Sequence, residues 1–112
     1  MTTVTTVLLV PPAQLGSSDA VLYTAPTQTT AKIGRADFCN TTASAVTITA
    51  GLTTGGALAA GTTLISARTL APGETYVSPE LAGLVIPAGS ALRAYASDAT
   101  SITCAVSGIL IQ

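Results

Sequence analysis

The sequence predicts an all-β fold: an antiparallel two-sheet β-sandwich, jelly-roll-like, with an extended N-terminal arm. Three observations carry this. Apolar and polar residues alternate with period two in several stretches, most cleanly where Val46, Ile48 and Ala50 interleave with Thr47 and Thr49. Turn-forming residues, Pro72-Gly73 and Pro87-Ala88-Gly89 above all, interrupt those stretches at short intervals. No stretch repeats its apolar residues at helical spacing. Eight or nine short strands result, which fits a sandwich or jelly roll and not an alternating α/β chain. At 112 residues the length suits one domain. We divide it into residues 1–12, an arm or edge strand, and residues 13–112, a single β-sandwich domain.

Met1 to Val10 alternates threonine and valine before turning apolar, and Pro11-Pro12 is expected to stop it, since proline cannot donate to a ladder. Such a segment is either an edge strand or an arm that pairs with a neighbouring subunit. Ala13 to Asp19 is a polar loop, and Ala20 to Thr24 a short strand closed by Ala25-Pro26. Thr29 to Asn40 is a longer strand of ambiguous register. A bulge near Gly34 or Arg35 puts Ile33, Ala36 and Phe38 on one face. Asn40 to Ser44 is a turn; its Asn40-Thr41-Thr42 matches a glycosylation pattern, without a preceding leader to give that meaning.

Ala45 to Leu52 is predicted as a strand with one dry and one wet face. Thr53 to Gly61 is a glycine- and alanine-rich loop, flexible or with a helical turn at Ala57 to Ala60. Thr62 to Leu70 resumes a strand. Around the Pro72-Gly73 turn follow strands at Thr75 to Ser78 and Leu81 to Ile86, then an alternating run with Leu92, Ala94 and Ala96 opposite Arg93, Tyr95 and Ser97. Ser101 to Gln112 closes with Ile102, Cys104 and Val106 on one face, and Gly108 is expected to permit a bulge or twist before Ile109 and Ile111.

Composition excludes several functions. Charged residues make up 8% of the chain, against about 25% in ordinary soluble domains. The four basic residues, Lys32, Arg35, Arg68 and Arg93, are dispersed, which argues against nucleic acid and against a polybasic membrane patch. No apolar run reaches the ~20 residues of a membrane-spanning helix. With no histidine and two cysteines, a metal site is not expected, nor is any cofactor. Cys39 and Cys104 are read as buried, reduced thiols. The same lack of histidine removes the commonest general base. Glu74 and Glu80 bracket a short strand; spacing alone leaves a glycosidase-type pair open beside the plainer reading of solvated turn residues. We expect no enzyme. The few tyrosines and absent tryptophan also disfavour a carbohydrate-binding module. Candidate contact residues for a subunit or particle are Val4, Val7, Leu8, Leu9 and Val10 of the arm, with Lys32, Arg35 and Asp37, which otherwise read as a charged strand edge that blocks wrong pairing.

Leu22-Tyr23-Thr24-Ala25-Pro26, Thr29 to Ile33 and Phe38-Cys39-Asn40-Thr41-Thr42 together resemble small β-rich virion structural proteins of tailed bacteriophages. So do Leu70 to Tyr76, Leu92-Arg93-Ala94 and Val106-Ser107-Gly108. The resemblance implies a capsid decoration (cement) protein that binds the outer surface of the phage head. It would form a homo-oligomer, a trimer, on the major capsid protein, and be assembled into the virion in the host cytoplasm. The alternative it implies is a tail-associated, fibre-base or head-tail joining component. It brings no catalytic residue.

Overall fold

The computed structural model describes residues 3–112. Nine strands follow one another with turns between them: β1 (Val4–Gln14), β2 (Ala20–Thr24), β3 (Thr30–Asn40), β4 (Val46–Thr53), β5 (Thr63–Leu70), β6 (Thr75–Val77), β7 (Val85–Ile86), β8 (Ala91–Ala96) and β9 (Ile102–Ile111). Every strand pair is antiparallel. One sheet runs β1-β9-β3-β6, with β7 also on β3; the other runs β2-β8-β4-β5.

The pairing has a simple logic. β1 pairs with β9, β2 with β8, β3 with β7 and β6, and β4 with β5. These are the rungs of one long hairpin, first strand on last and inward to the middle. Folding that hairpin over brings β9 beside β3 and β8 beside β4, which closes the two sheets. That is a jelly roll.

Between the sheets lies an aliphatic core centred on Phe38, Ile33, Ile48, Leu70, Leu92 and Ile102, all fully buried. Three devices place them. A bulge between Ile33 and Arg35 switches parity in β3, so Ile33, Ala36 and Phe38 all face inward, as the sequence predicted. Gly73, at φ +75°, occupies the left-handed position of the Ala71–Glu74 turn, which Glu74 N–H closes onto Ala71 C=O at 3.0 Å. Asn40, fully buried, ties three segments together through its side chain. Its amide donates to the carbonyls of Ser44 (2.8 Å) and Leu70 (3.1 Å), and its oxygen accepts from Thr42 N–H and Oγ1. A glycan cannot be attached to a side chain so enclosed.

Several expectations are corrected. Pro11-Pro12 does not stop β1, which continues to Gln14 through two register shifts, between Leu8 and Val10 and between Val10 and Ala13. On an edge strand a proline forfeits no ladder bond if its nitrogen faces outward or sits in a bulge. Leu81 to Leu84 is turn, leaving only Val85–Ile86 as strand. β4 has little wet face, being covered on both sides along most of its length. Gly108 hosts no bulge; β9 alternates through it unbroken, and a Cβ there would collide with the carbonyl of Lys32 on β3. Cys39 is half-buried instead of enclosed, and lies on the opposite sheet face from Cys104.

Candidate docking face

The face in question is built by register. Residues opposite one another in an antiparallel pair point to the same side. Val4 lies opposite Ile111, Thr6 opposite Ile109 and Leu8 opposite Ser107 on the β1–β9 side. Across β9, Ile111 lies opposite Thr30, Ile109 opposite Lys32 and Ser107 opposite Arg35. Lys32 in turn faces Val85 of β7, and Asp37 faces Val77 of β6. Ala31, Ile33, Ala36 and Phe38 occupy the other parity and are buried. All the residues named before them therefore share the outer side of the five-stranded sheet.

That side carries an apolar patch in the open. Val4 is 59% exposed, Leu8 50%, Val77 48% and Val85 46%; the half-buried Ile109 and Ile111 lie beside Val4 and Leu8, and Lys32, Arg35 and Asp37 of β3 separate them from Val77 and Val85. A shallow groove crosses its centre over Gly34 and Gly108, with Thr6, Leu8, Ser107 and Ile109 forming its walls. Arg35 donates from Nε to both carboxylate oxygens of Asp37 at 2.8 and 3.1 Å, so these two charges neutralise each other two residues apart on one strand face.

The outer side of the four-stranded sheet is dressed differently. Gly51 lies opposite Arg93 there, and the loop after β4 folds back so closely that a Cβ on Gly51 would strike the Thr62 carbonyl and the Leu58 side chain. Asp19 fastens that loop, accepting from Leu58 N–H at 2.8 Å and from Arg93 Nε at 2.9 Å. Those donors hold the Asp19 carboxyl below its ordinary pKa, the Arg93 hydrogen bond being the largest cause. A loop overlies part of one sheet, whose Val21 and Leu64 stay exposed, and the other is bare.

Of the candidate contact residues, Val4, Leu8, Lys32, Arg35 and Asp37 converge on the bare face, brought together because β9 sits between β1 and β3. Val7 points the other way and packs against the core. Leu9 and Val10 are corrected: both are buried. The register shift at Leu9 gives β1 an extra residue there, so Leu9 and Val10 both turn inward and are unavailable for outside contact. Ile109, Ile111, Val77 and Val85 complete the face without having been singled out from sequence. For the two isoleucines the signal was present. Continuing the parity of Ile102, Cys104 and Val106 through Gly108 sends Ile109 and Ile111 outward.

The carboxylates have local structural duties. Glu74 Oε1 accepts from Ala71 N–H at 2.7 Å, capping its own turn. Glu80 accepts from Tyr76 Oη and from Ser78 Oγ, while Arg68 lies 4.0 Å from the centroid of the Tyr76 ring. Among the described residues no three metal-capable side chains converge.

No family model matches this chain, and no curated protein does. Solved structures do. A structure of infectious bursal disease virus, Gx strain, aligns over 99% of this chain and 33% of that one, with a TM-score of 0.63 and 18% identity. The crystal structure of the VP2 subviral particle of the same virus aligns over 98% of this chain and 33% of that one, with a TM-score of 0.55 and 18% identity. The Gt strain gives 98% and 32% coverage, a TM-score of 0.51 and 17% identity. The chain thus spans about a third of the length of the chains it matches. At such identity the likeness is one of fold: the jelly roll described above recurs in these virus structures.

Proposed function

We propose that the chain is a structural protein of a virus particle, and within that class a decoration (cement) protein of a tailed phage. In this reading it binds the major capsid protein on the outside of the head through the bare face of its five-stranded sheet. The observation that carries it is the unequal dressing of the two sheets: a pinned loop overlies the four-stranded sheet at Gly51, leaving Val21 and Leu64 exposed, whereas the five-stranded sheet presents Val4, Leu8, Val77 and Val85 to solvent. Exposed apolar residues gathered on one face among polar ones mark interaction sites. The fold likeness to infectious bursal disease virus structures supports a virion setting. Jelly rolls also serve as lectins and cupins. The bare face has no aromatic ring on which a sugar would stack, and the chain has no histidine for a cupin metal. Neither an enzyme nor a nucleic-acid binder fits better, since Arg35, Arg68 and Arg93 are each engaged with a side chain of the domain itself.

Co-sedimentation with undecorated heads of the encoding phage tests this. The wild-type chain should pellet with heads, and the double variant Val85→Glu/Val77→Glu should lose occupancy by roughly tenfold or more while keeping its circular dichroism spectrum. A wild-type chain that ignores heads but is found on tails by immunogold labelling would overturn the decoration reading in favour of a tail component.

A further inference from the structure

The free edge of β1 has a property that its face does not. Thr3 and Gln112 exchange both backbone bonds, Thr3 N–H to Gln112 C=O at 2.8 Å and the reverse at 2.9 Å. Hydrogen-bonded and non-hydrogen-bonded pairs alternate along an antiparallel ladder. From Val4 to Leu8 the register with β9 is unbroken. Thr5 and Val7 therefore also bond toward β9, whereas Val4, Thr6 and Leu8 direct their N–H and C=O groups away from it, into the open.

This edge is unguarded. Sheet edges are normally blunted by shortness, bulges, charge or proline. Of the other edges among the described residues, β6 and β7 are 3 and 2 residues long, and β2 is 5 residues long and interrupted at Val21/Tyr23. β5 carries Arg68 and is broken by Ala67, at φ +46°. The second half of β1 has Pro11-Pro12. The stretch Val4 to Leu8 has none of these defences, and no charged side chain lies between it and Asp19.

We propose that this edge pairs with the β1 edge of a second copy, antiparallel across a twofold axis at Thr6. The sequence is self-complementary in that register. Thr6 meets Thr6 of the other copy, Val4 meets its Leu8 and Leu8 its Val4, giving an apolar pair on each side of a threonine pair. All three outward-directed residues find partners, two bonds at each, and Pro11-Pro12 falls beyond the paired stretch, ending the ladder. Identical surfaces meeting about a twofold form a closed, isologous contact. The two five-stranded sheets become one continuous sheet, and their bare faces lie on the same side of it. This inference goes beyond the docking reading and does not depend on it. It replaces the threefold assembly implied by the family resemblance with a twofold one.

Sedimentation and light scattering of the isolated chain over a wide concentration range test the pairing. The wild type should reach twice the 11.0 kDa chain mass. Thr6→Pro removes an N–H that β9 does not use, so the domain should stay folded while self-association weakens by roughly tenfold or more. Thr6→Cys in a Cys39→Ser background gives an independent reading. Paired residues of this type stand about 5.5 Å apart at Cα, within the ~4.4–6.8 Å that a disulfide spans, so mild oxidation should cross-link two chains. A single-chain mass at every concentration, a threefold mass, or a dimer that Thr6→Pro leaves intact would each overturn the proposal. If Thr6→Pro fails to fold, absence of the Thr6→Cys cross-link overturns it instead. Loss of head binding by Val85→Glu/Val77→Glu with the dimer retained would separate the two interfaces.

Discussion

Asn40 uses its whole hydrogen-bonding capacity: both amide hydrogens and both lone pairs have partners, and the residue has no exposed surface. Replacing it by alanine leaves the Leu70 and Ser44 carbonyls and the Thr42 N–H without their partner. At about 1 kcal/mol for each of these three backbone groups, Asn40→Ala should destabilise by about 3 kcal/mol and lower the melting temperature by roughly 10 °C or more. A loss below about 1 kcal/mol in urea titration would show that water replaces the side chain at no cost. The cysteines give a second prediction at this scale. Cys104 sits on the core face opposite Phe38, and burial pushes its thiol up to about 12, while Cys39 faces outward on β3. A bulky thiol reagent in native buffer should modify one cysteine per chain quickly and the second only on unfolding. Equal rates would contradict the placement. The burial of Cys104 was legible in the sequence, where it shares the parity of Ile102 and Val106; that of Cys39 was misjudged, since the bulge that turns Phe38 inward leaves Cys39 on the other face.

Among the elements, β3 was the most legible and β1 the least. Ile33, Ala36 and Phe38 cannot share a strand face without a bulge, so the pattern itself announced one near Gly34. In β1 the apolar run Val7 to Val10 contains an inward pair and an outward leucine, and nothing in four consecutive aliphatic residues says where the extra one is inserted. The connection from β6 to β7 was misread for a related reason. Leu81 is buried as a strand residue would be, yet it is held in a turn by Ser78 Oγ, which accepts from Leu81 N–H at 3.2 Å. This turn belongs to a clasp between the sheets, in which Tyr76 of β6 donates to Glu80 under the guanidinium of Arg68 from β5. The Tyr76 hydrogen bond holds the Glu80 carboxyl below its ordinary pKa. A carboxyl whose folded pKa is depressed stabilises the fold above its unfolded pKa, and that stability is lost as pH falls through the folded value. Asp19 has the same sign. The melting temperature should therefore hold from neutral pH down to the ordinary carboxylate range and drop below it. Glu80→Gln should reduce that drop by removing one of the two groups; an unchanged acid slope would assign the sensitivity elsewhere.

On the scale of the whole molecule, the strand count and fold class could be read from alternation and turns, but the strand order could not. Period two says that Ile102, Cys104 and Val106 face a core; it does not say that β9 lies between β1 and β3. The convergence of Val4 and Leu8 with Arg35 and Asp37 depends on that order alone, which is why a contact surface could be suspected from sequence but its shape could not be drawn. The nesting of first strand on last also bears on how the molecule is made. During synthesis β1 emerges first, and its ladder partner, Ile102–Ile111, emerges last. Until then Leu9 and Val10 have no sheet to turn into, and the strand is open along both sides. Folding can close only after the ninth strand has left the ribosome, so a nascent chain stalled before that point would expose, beside the Val4 to Leu8 edge, the Thr5 and Val7 backbone groups that β9 later takes up, to its neighbours on a polysome.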